Sequence, residues 1–114
     1  MVMSKLPSMR IAGKILADTF LCISEHMREG LTAGQVDAIA REFIVSNNAE
    51  PGFLGYNGYA YSSCISKNEE IVHGIPYDSK VFFDGDIVSI DIGVKYNGFY
   101  ADAARTFLIC NVSR

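Results

Sequence analysis

The segment from Val88 to Phe107, VSIDIGVKYNGFYADAARTF, constrains the fold of this chain more than any other. Apolar residues alternate with polar or small ones on both sides of Asn97 and Gly98, which is the period of a half-buried β-strand. An Asn-Gly pair between two such runs is typical of the two-residue turn of a β-hairpin. The sequence therefore predicts two long antiparallel strands in which Tyr96 lies opposite Phe99.

This register sorts the side chains of the hairpin onto two faces. One face is apolar and is expected to point into the core; it carries Ile90, Ile92, Val94, Phe99, Ala101, Ala103 and Phe107. The other face carries two aspartates, Asp91 and Asp102, among small or polar neighbours: Ser89, Gly93, Tyr100, Ala104 and Thr106. We expect both carboxylates on the same side of the sheet, near enough to share a ligand.

The hairpin alone leaves the role of the two aspartates open. They could belong to the solvated face of a half-covered sheet, where an aspartate costs little. Against this, aspartate is a poor strand former, and two nearby carboxylates repel unless a cation or a proton lies between them. Carboxylates on rigid strands suit hard divalent ions such as Mn²⁺, Fe²⁺ or Mg²⁺. A proton-sharing acid pair is the other chemical option, although the Asp-Thr/Ser-Gly triplets of that class are absent.

The first half of the chain shows helical periodicity. Apolar residues from Met9 to Met27 form one stripe of an amphipathic helix, with Gly30 as its expected stop. A second helix is expected after Thr32, which forms a capping box with Gln35, and it should end at the segment SNNAEPG. Two helices therefore precede the strands.

The second half has the character of a β-meander. Short strands are predicted at 62–66, 70–73 and 86–94, where tyrosine, serine and β-branched residues replace the helix formers. No linker separates the two halves of the sequence, and the sequence contains no internal repeat. We expect a single domain, residues 1–114, of the α+β class, with two N-terminal helices packed on one face of an antiparallel meander.

Composition excludes several classes of partner. A formal charge of −3 on 114 residues is too small to indicate a nucleic-acid or anionic membrane surface. No apolar run approaches the ~20 residues that cross a bilayer, and no secretion signal is evident. The three cysteines show no CxxC spacing, so reduced thiols are expected rather than disulfides or a zinc site. We predict a cytoplasmic protein that binds neither nucleic acid nor membrane.

Residues 55–107 contain a dense series of motifs: GYNGY, a cysteine followed by ISKNE, VHGIP, DGDIVSIDIG, and a second aspartate 11 residues after the first. Together they resemble the N-terminal half of the bacterial, type I methionine aminopeptidases, which have the pita-bread fold. The helices before them fit the opening of that family more loosely. Relatives that cleave X-Pro bonds share the fold but not the GYxGY segment. The resemblance therefore covers nearly the whole chain and is most specific in its second half.

The resemblance implies a metal centre. Asp91 would be a bidentate ligand to one of two divalent ions of the Co, Mn, Fe or Zn class, and Asp102 would bridge both. The implied chemistry is attack by metal-activated water on the first peptide bond of a nascent chain, which removes the N-terminal methionine. The resemblance thus assigns a metal-dependent aminopeptidase activity.

The resemblance also implies a substrate site. His73 would lie beside the scissile peptide and donate a hydrogen bond as charge develops there. Tyr56, Tyr59 and Cys64 would line the pocket for the methionine side chain, where an apolar, polarizable wall suits a thioether. Taken alone, His73 would be assigned to the surface and Cys64 to the core. Their functional assignments follow from the resemblance.

The chain departs from the family at its end, because members of the family continue into a second half that supplies a histidine and two glutamate ligands. We expect a chain with only the two aspartate ligands to bind metal weakly and to be inactive alone. The alternative is a non-catalytic half-domain that acts as an assembly or binding module. In either case a homodimer is expected through an uncovered sheet edge near residues 100–110, with Phe107 and Ile109 exposed.

Overall fold

The computed structural model describes residues 2–53, 61–68, 74–77 and 79–110. Its elements are helices α1 (Val2–Ser24) and α2 (Ala33–Ser46) and strands β1 (Glu50–Pro51), β2 (Ser63–Lys67), β3 (Ile87–Tyr96) and β4 (Phe99–Leu108). This order confirms the predicted α+β class. The strand predicted at 70–73 lies outside the described residues.

Helix α1 begins earlier and ends earlier than its apolar stripe predicted, and Met27, the last residue of the stripe, packs against the core from the turn after the helix. It ends at Ser24, and the N–H of Met27 in the following turn donates a hydrogen bond to the carbonyl of Ile23 (3.1 Å). Gly30, the predicted stop, instead has a φ of 92° and donates its N–H to the carbonyl of Phe82 (2.9 Å). In the described ranges, neither helix has the length and apolar character needed to cross a bilayer.

Helix α2 begins as the sequence predicted. The hydroxyl of Thr32 accepts a hydrogen bond from the N–H of Gln35 (3.1 Å), and the side chain of Gln35 accepts one from the N–H of Thr32 (2.9 Å). This reciprocal pair satisfies two N–H groups at the start of the helix that would otherwise lack partners. After the helix, Asn48 takes a φ of 62° and turns the chain toward β1.

Strands β2, β3 and β4 form the predicted antiparallel meander, and β1 pairs with β3 beyond the end of β2. The β3–β4 register runs from Ile87 opposite Leu108 to Tyr96 opposite Phe99, which confirms the predicted hairpin. The turn between them has positive φ at both positions, 52° at Asn97 and 83° at Gly98. That geometry matches the right-handed twist of the strands and sets the register.

The core lies between the two helices and one face of the sheet. Its fully or almost fully buried apolar side chains include Ile15, Phe20 and Ile23 of α1, Val36, Ala40 and Ile44 of α2, and Val88, Ile90, Ile92 and Val94 of β3. Arg105 of β4 lies opposite Ile90 on this face, and its guanidinium covers the ring of Phe20 at 5.1 Å. The two aspartates, Asp91 of β3 and Asp102 of β4, lie on the opposite face of the sheet.

The end of β4 differs from the prediction that Phe107 and Ile109 are uncovered. Ile109 is 1% exposed and Phe107 is half-buried against the core. The N–H of Ile109 donates to the carbonyl of Asp86 (2.8 Å), and its carbonyl accepts from Gly85 (2.7 Å), so the chain folds back under the turn before β3. The exposed apolar side chain here is Leu108, which is 63% exposed.

Asp86 organises the turn that leads into β3. Its carboxylate accepts hydrogen bonds from the side chain of Asn68 (3.0 Å) and the N–H of Phe83 (2.8 Å), and it lies 3.5 Å from the ammonium of Lys67. In that order of importance, these groups lower the pKa of the Asp86 carboxyl below its usual 3.8. The folded state therefore favours the ionised form of Asp86.

A pH dependence of stability follows from this lowered pKa. Because the folded pKa of Asp86 lies below the unfolded one, its contribution is fully present above pH 3.8 and is lost as the pH falls through the folded pKa. We expect Asp86→Asn to lower the free energy of unfolding at neutral pH, and the difference from wild type to shrink in acid. Urea denaturation from neutral pH into acid measures this difference in the free energy of unfolding. Asp18→Asn, which alters the exposed ion pair with Lys14, is the control; an equal acid response in both variants would contradict the assignment.

Candidate metal-binding site

The two aspartates of the hairpin lie on the face of the sheet that points away from the helices. Asp91 of β3 lies opposite Ala104, and Asp102 of β4 lies opposite Gly93. The aspartates are therefore diagonal neighbours on one face, a relation in which Cα atoms are typically ~7–8 Å apart. The structure confirms that the hairpin brings both carboxylates to the same side.

Both aspartates line one cavity of about 340 Å³, together with Phe53, Ala103 and Ala104. Both residues are exposed. Within the described part of the chain, neither carboxylate accepts a hydrogen bond or forms an ion pair, whereas Asp37 and Asp86 do both. Two nearby carboxylates without partners repel each other, and a shared cation relieves that repulsion.

Phe53 is a site residue that the sequence reasoning missed. Its ring packs over Gly93, where the position of an added Cβ would be 3.0 Å from Cε1 of the ring. Gly52 donates its N–H to the carbonyl of Gly93 (2.8 Å), which draws this segment onto the sheet. A glycine inside a strand indicates close approach by another group, so Gly93 was the available signal. The aspartates therefore have an apolar wall beside them.

Cys64 of β2 lies directly opposite Asp91, so the two side chains project from the same face of the sheet. Its side chain is partly exposed. The structure thus brings together three of the six predicted site residues: Asp91, Asp102 and Cys64. Tyr56, Tyr59 and His73 lie outside the described residues.

Gly74, the residue after His73, is fixed against β2. Its carbonyl accepts the N–H of Ile65 (2.7 Å), and an added Cβ would overlap the carbonyl of Ile65 and lie 2.6 Å from Oγ of Ser66. Only glycine permits this approach. Gly74 is therefore anchored to Ile65, one residue beyond Cys64 on the same strand.

The donor set of the cavity fits part of a metal site. Carboxylate oxygens are the ligands that hard divalent ions prefer. Among the residues the structure describes, no group of three or more His, Cys, Asp or Glu side chains is placed to hold one ion. Asp91 and Asp102 are therefore suitable ligands that would need further protein ligands or water to complete a coordination shell.

The family model that matches this chain is metallopeptidase family M24, over residues 7–113. The chain is 46% identical to methionine aminopeptidase 1 of Bacillus subtilis over 99% of its length and 47% of that relative. It is 48% identical to a methionine aminopeptidase of Clostridium perfringens, over 96% of its own length and 44% of that relative. The chain thus spans about half the length of the curated relatives it matches.

Solved structures agree with this match. The crystal structure of a methionine aminopeptidase from Thermotoga maritima superposes with a TM-score of 0.91 at 40% identity, over 96% of this chain and 44% of that one. The match confirms the pita-bread architecture expected from the resemblance. With the family model covering almost the whole chain and the two hairpin aspartates lining one cavity, the chain belongs to metallopeptidase family M24.

Proposed function

We propose that residues 1–114 form the N-terminal half of a methionine aminopeptidase-like catalytic domain, which removes the N-terminal methionine from nascent polypeptides. The observation that carries the proposal is the cavity that Asp91 and Asp102 line together with Phe53. The curated relatives named methionine aminopeptidase support it. The cytoplasmic location and the absence of nucleic-acid and membrane partners stay predictions.

In this proposal Asp91 and Asp102 hold two divalent ions of the Co, Mn, Fe or Zn class, together with ligands from a second half. The bound ions would supply Lewis-acid activation of the peptide carbonyl and of the attacking water. The hairpin contributes rigidity: Ile90 and Ile92, which flank Asp91 on β3, are fully buried. The carboxylate is thereby held on a strand that cannot shift without opening the core.

The substrate's methionine side chain would lie against Cys64 and Phe53. Cys64 is the cross-strand neighbour of Asp91, and Phe53 lines the cavity of both aspartates. A thioether packs favourably against an aromatic ring, and a free cysteine presents a small apolar surface. Tyr56 and Tyr59 are proposed to complete this pocket, and His73 is proposed as the catalytic hydrogen-bond donor to the peptide. These last three assignments rest on the family resemblance.

Metal binding by the chain tests the proposal directly. With two carboxylate ligands, we expect Mn²⁺ to bind with a Kd in roughly the millimolar range of weakly liganded oxygen sites. Asp91→Asn and Asp102→Asn should each weaken binding further, and Asp18→Asn on α1 should not. Isothermal titration and Mn²⁺ relaxation measurements report the affinity. Micromolar affinity that survives Asp102→Asn would contradict this ligand assignment.

Peptidase activity provides a second test. We expect the 114-residue chain alone to release no methionine from a Met-Ala-Ser peptide in the presence of Mn²⁺ or Co²⁺. The reason is that the proposed centre takes further ligands from the second half. Chromatography of the released amino acid measures the reaction. Metal-dependent release that Asp102→Asn abolishes would show that the second half is dispensable.

A non-catalytic assembly module is the second candidate function, and β4 favours it. In the described sheet β4 pairs only with β3, and it carries exposed Tyr100 and Leu108 on the same face as Asp102. A free edge with apolar side chains pairs readily with another strand. We propose a homodimer through this edge. Light scattering should show concentration-dependent association that Leu108→Lys reduces; an unchanged monomer at high concentration contradicts it.

A further inference from the structure

A buried polar network joins helix α2 to the start of strand β2. Asp37, on α2, is only 4% exposed. Its Oδ1 accepts the backbone N–H of Ser62 (2.9 Å) and the hydroxyl of Ser63 (2.6 Å). Ser62, just before β2, and Ser63, the first residue of β2, are therefore held by one carboxylate oxygen.

Arg41 completes the network from the next turn of α2. Its guanidinium Nη2 lies 3.5 Å from Oδ2 of Asp37, and its Nε donates a hydrogen bond to Oγ of Ser62 (3.0 Å). A buried carboxylate is costly unless its oxygens are paired in this way. Charge-assisted hydrogen bonds are also stronger and more directional than neutral ones. The network therefore fixes the position of Ser62 and Ser63 rather than only tolerating a buried charge.

The next residue along the chain is Cys64, which lies opposite Asp91. The network is thus one residue away from the side chain that the proposed function assigns to the methionine pocket. It also lies close to the ends of both segments that carry the other proposed site residues. Tyr61, which follows residues 54–60, contacts the ring of Tyr77 edge-on (6.4 Å between centroids).

Tyr77, which follows VHGIP in the sequence, is itself tied to α2. Its carbonyl accepts the N–H of Gly34 (3.2 Å), and the carbonyl of Lys80 accepts the N–H of Ala33 (2.8 Å). A cavity of about 420 Å³ lies between these groups, lined by Gly34, Asp37, Ala38, Arg41, Tyr61, Pro76 and Tyr77. Tyr61, Pro76 and Tyr77 therefore lie around one cavity with residues 34–41 of α2.

We propose that Asp37 and Arg41 are a positioning pair that holds the start of β2, so that Cys64 lies beside Asp91 in the wall of the substrate pocket. The pair acts through Ser62 and Ser63 and does not itself touch substrate or metal. The assignment of a substrate pocket rests on the proposed function. The placement of Cys64 beside Asp91 is independent of the proposed function, and the experiment measures that placement.

The rate at which Cys64 is alkylated by iodoacetamide is the readout, measured by mass spectrometry of the separated peptides. In the same molecules, half-buried Cys22 on α1 reports global unfolding, and exposed Cys110 reports reagent activity. We expect Asp37→Ala to raise the alkylation rate of Cys64 about tenfold or more. The substitution removes the charge-assisted hydrogen bonds that hold Ser62 and Ser63 at the start of β2. The rates of Cys22 and Cys110 should stay within about twofold of wild type.

Two further variants separate positioning from a general loss of stability. Asp37→Asn keeps an oxygen that can accept from Ser62 and Ser63, so it should restore the Cys64 rate to within about twofold of wild type. Asp18→Ala removes the other described i,i+4 ion pair of a helix, the exposed pair with Lys14 on α1, and should leave the Cys64 alkylation rate unchanged. Equal acceleration of all three cysteines, without rescue by asparagine, would reduce the pair to a merely structural role and overturn the proposal.

Ser63→Ala covers the case in which Asp37→Ala does not fold. It removes one donor to Asp37 and leaves the carboxylate paired, so we expect a smaller rise of about threefold at Cys64 alone. An unchanged Cys64 rate in folded Asp37→Ala, or in Ser63→Ala, overturns the proposal. Because thiol alkylation needs neither metal nor peptidase activity, a failure here is distinct from a failure of the proposed function.

Discussion

Gly74→Ala is expected to lower the free energy of unfolding by about 3 kcal/mol, the upper range of overpacking a well-packed site. An added Cβ would overlap the carbonyl of Ile65 and approach Oγ of Ser66 to 2.6 Å. The overlap with Ile65 is with backbone atoms, so side-chain rotation cannot relieve it. The hydrogen bond from Ile65 N–H to Gly74 would be lost or bent as the two segments separate. Urea denaturation measures the change.

Gly13→Ala is the matched control for this substitution. Gly13 lies inside α1, and among the described residues no atom outside its own stretch of helix lies within 4 Å of the position its Cβ would take. Alanine there should stabilise the helix by up to about 1 kcal/mol, because glycine is the poorer helix former. Opposite signs for the two glycines are therefore expected. A Gly74→Ala variant as stable as wild type would show that the segment after His73 is not packed against β2 as described.

Ile92→Ala is expected to cost about 3 to 4 kcal/mol, within the range for truncating a buried isoleucine. Ile92 is 0% exposed and lies on β3 between the aspartate-bearing position 91 and the Gly93 that receives Phe53. The cavity left by the substitution would lie directly beneath the proposed metal site. Thermal and urea unfolding measure the loss, and the Mn²⁺ affinity should fall with it where the variant remains folded.

Ile87→Ala on the same strand provides the control, because Ile87 is 50% exposed. Its substitution should change stability by less than about 1 kcal/mol, as for most exposed positions. Ile92→Val, which removes a single methyl group, should cost about 0.5 to 1.5 kcal/mol and keeps the test informative if the alanine variant unfolds. Equal losses at Ile87 and Ile92 would contradict the assignment of β3 faces.

Several features of the fold could be predicted because local chemistry decides them. The Asn97-Gly98 turn requires two positive φ angles, which only a few residue types accept, and that requirement fixed the register of ten cross-strand pairs. The capping box of Thr32 and Gln35 likewise depends on residues three apart in sequence. With the register known, the common face of Asp91 and Asp102 followed from the period of two alone.

Other features could not be predicted, because they depend on contacts between distant segments. The burial of Ile109 requires the turn at Gly85 and Asp86, and periodicity gives no sign of it. The same holds for Phe53, whose place beside the aspartates depends on the missing side chain of Gly93. The predicted exposure of Ile109 was wrong for this reason, since a strand pattern says nothing about what folds over its end.

The sequence by itself determined the hairpin, its register, the cap of α2 and the side of the sheet on which the carboxylates stand. These follow from turn geometry and from the alternation of side chains along a strand. Only the tertiary structure decided that Asp37 is buried and accepts hydrogen bonds from Ser62 and Ser63, 25 and 26 residues away, and that Phe53 lines the cavity of Asp91 and Asp102. Burial and pairing of a charge are properties of segments brought together by packing, so no local pattern encodes them.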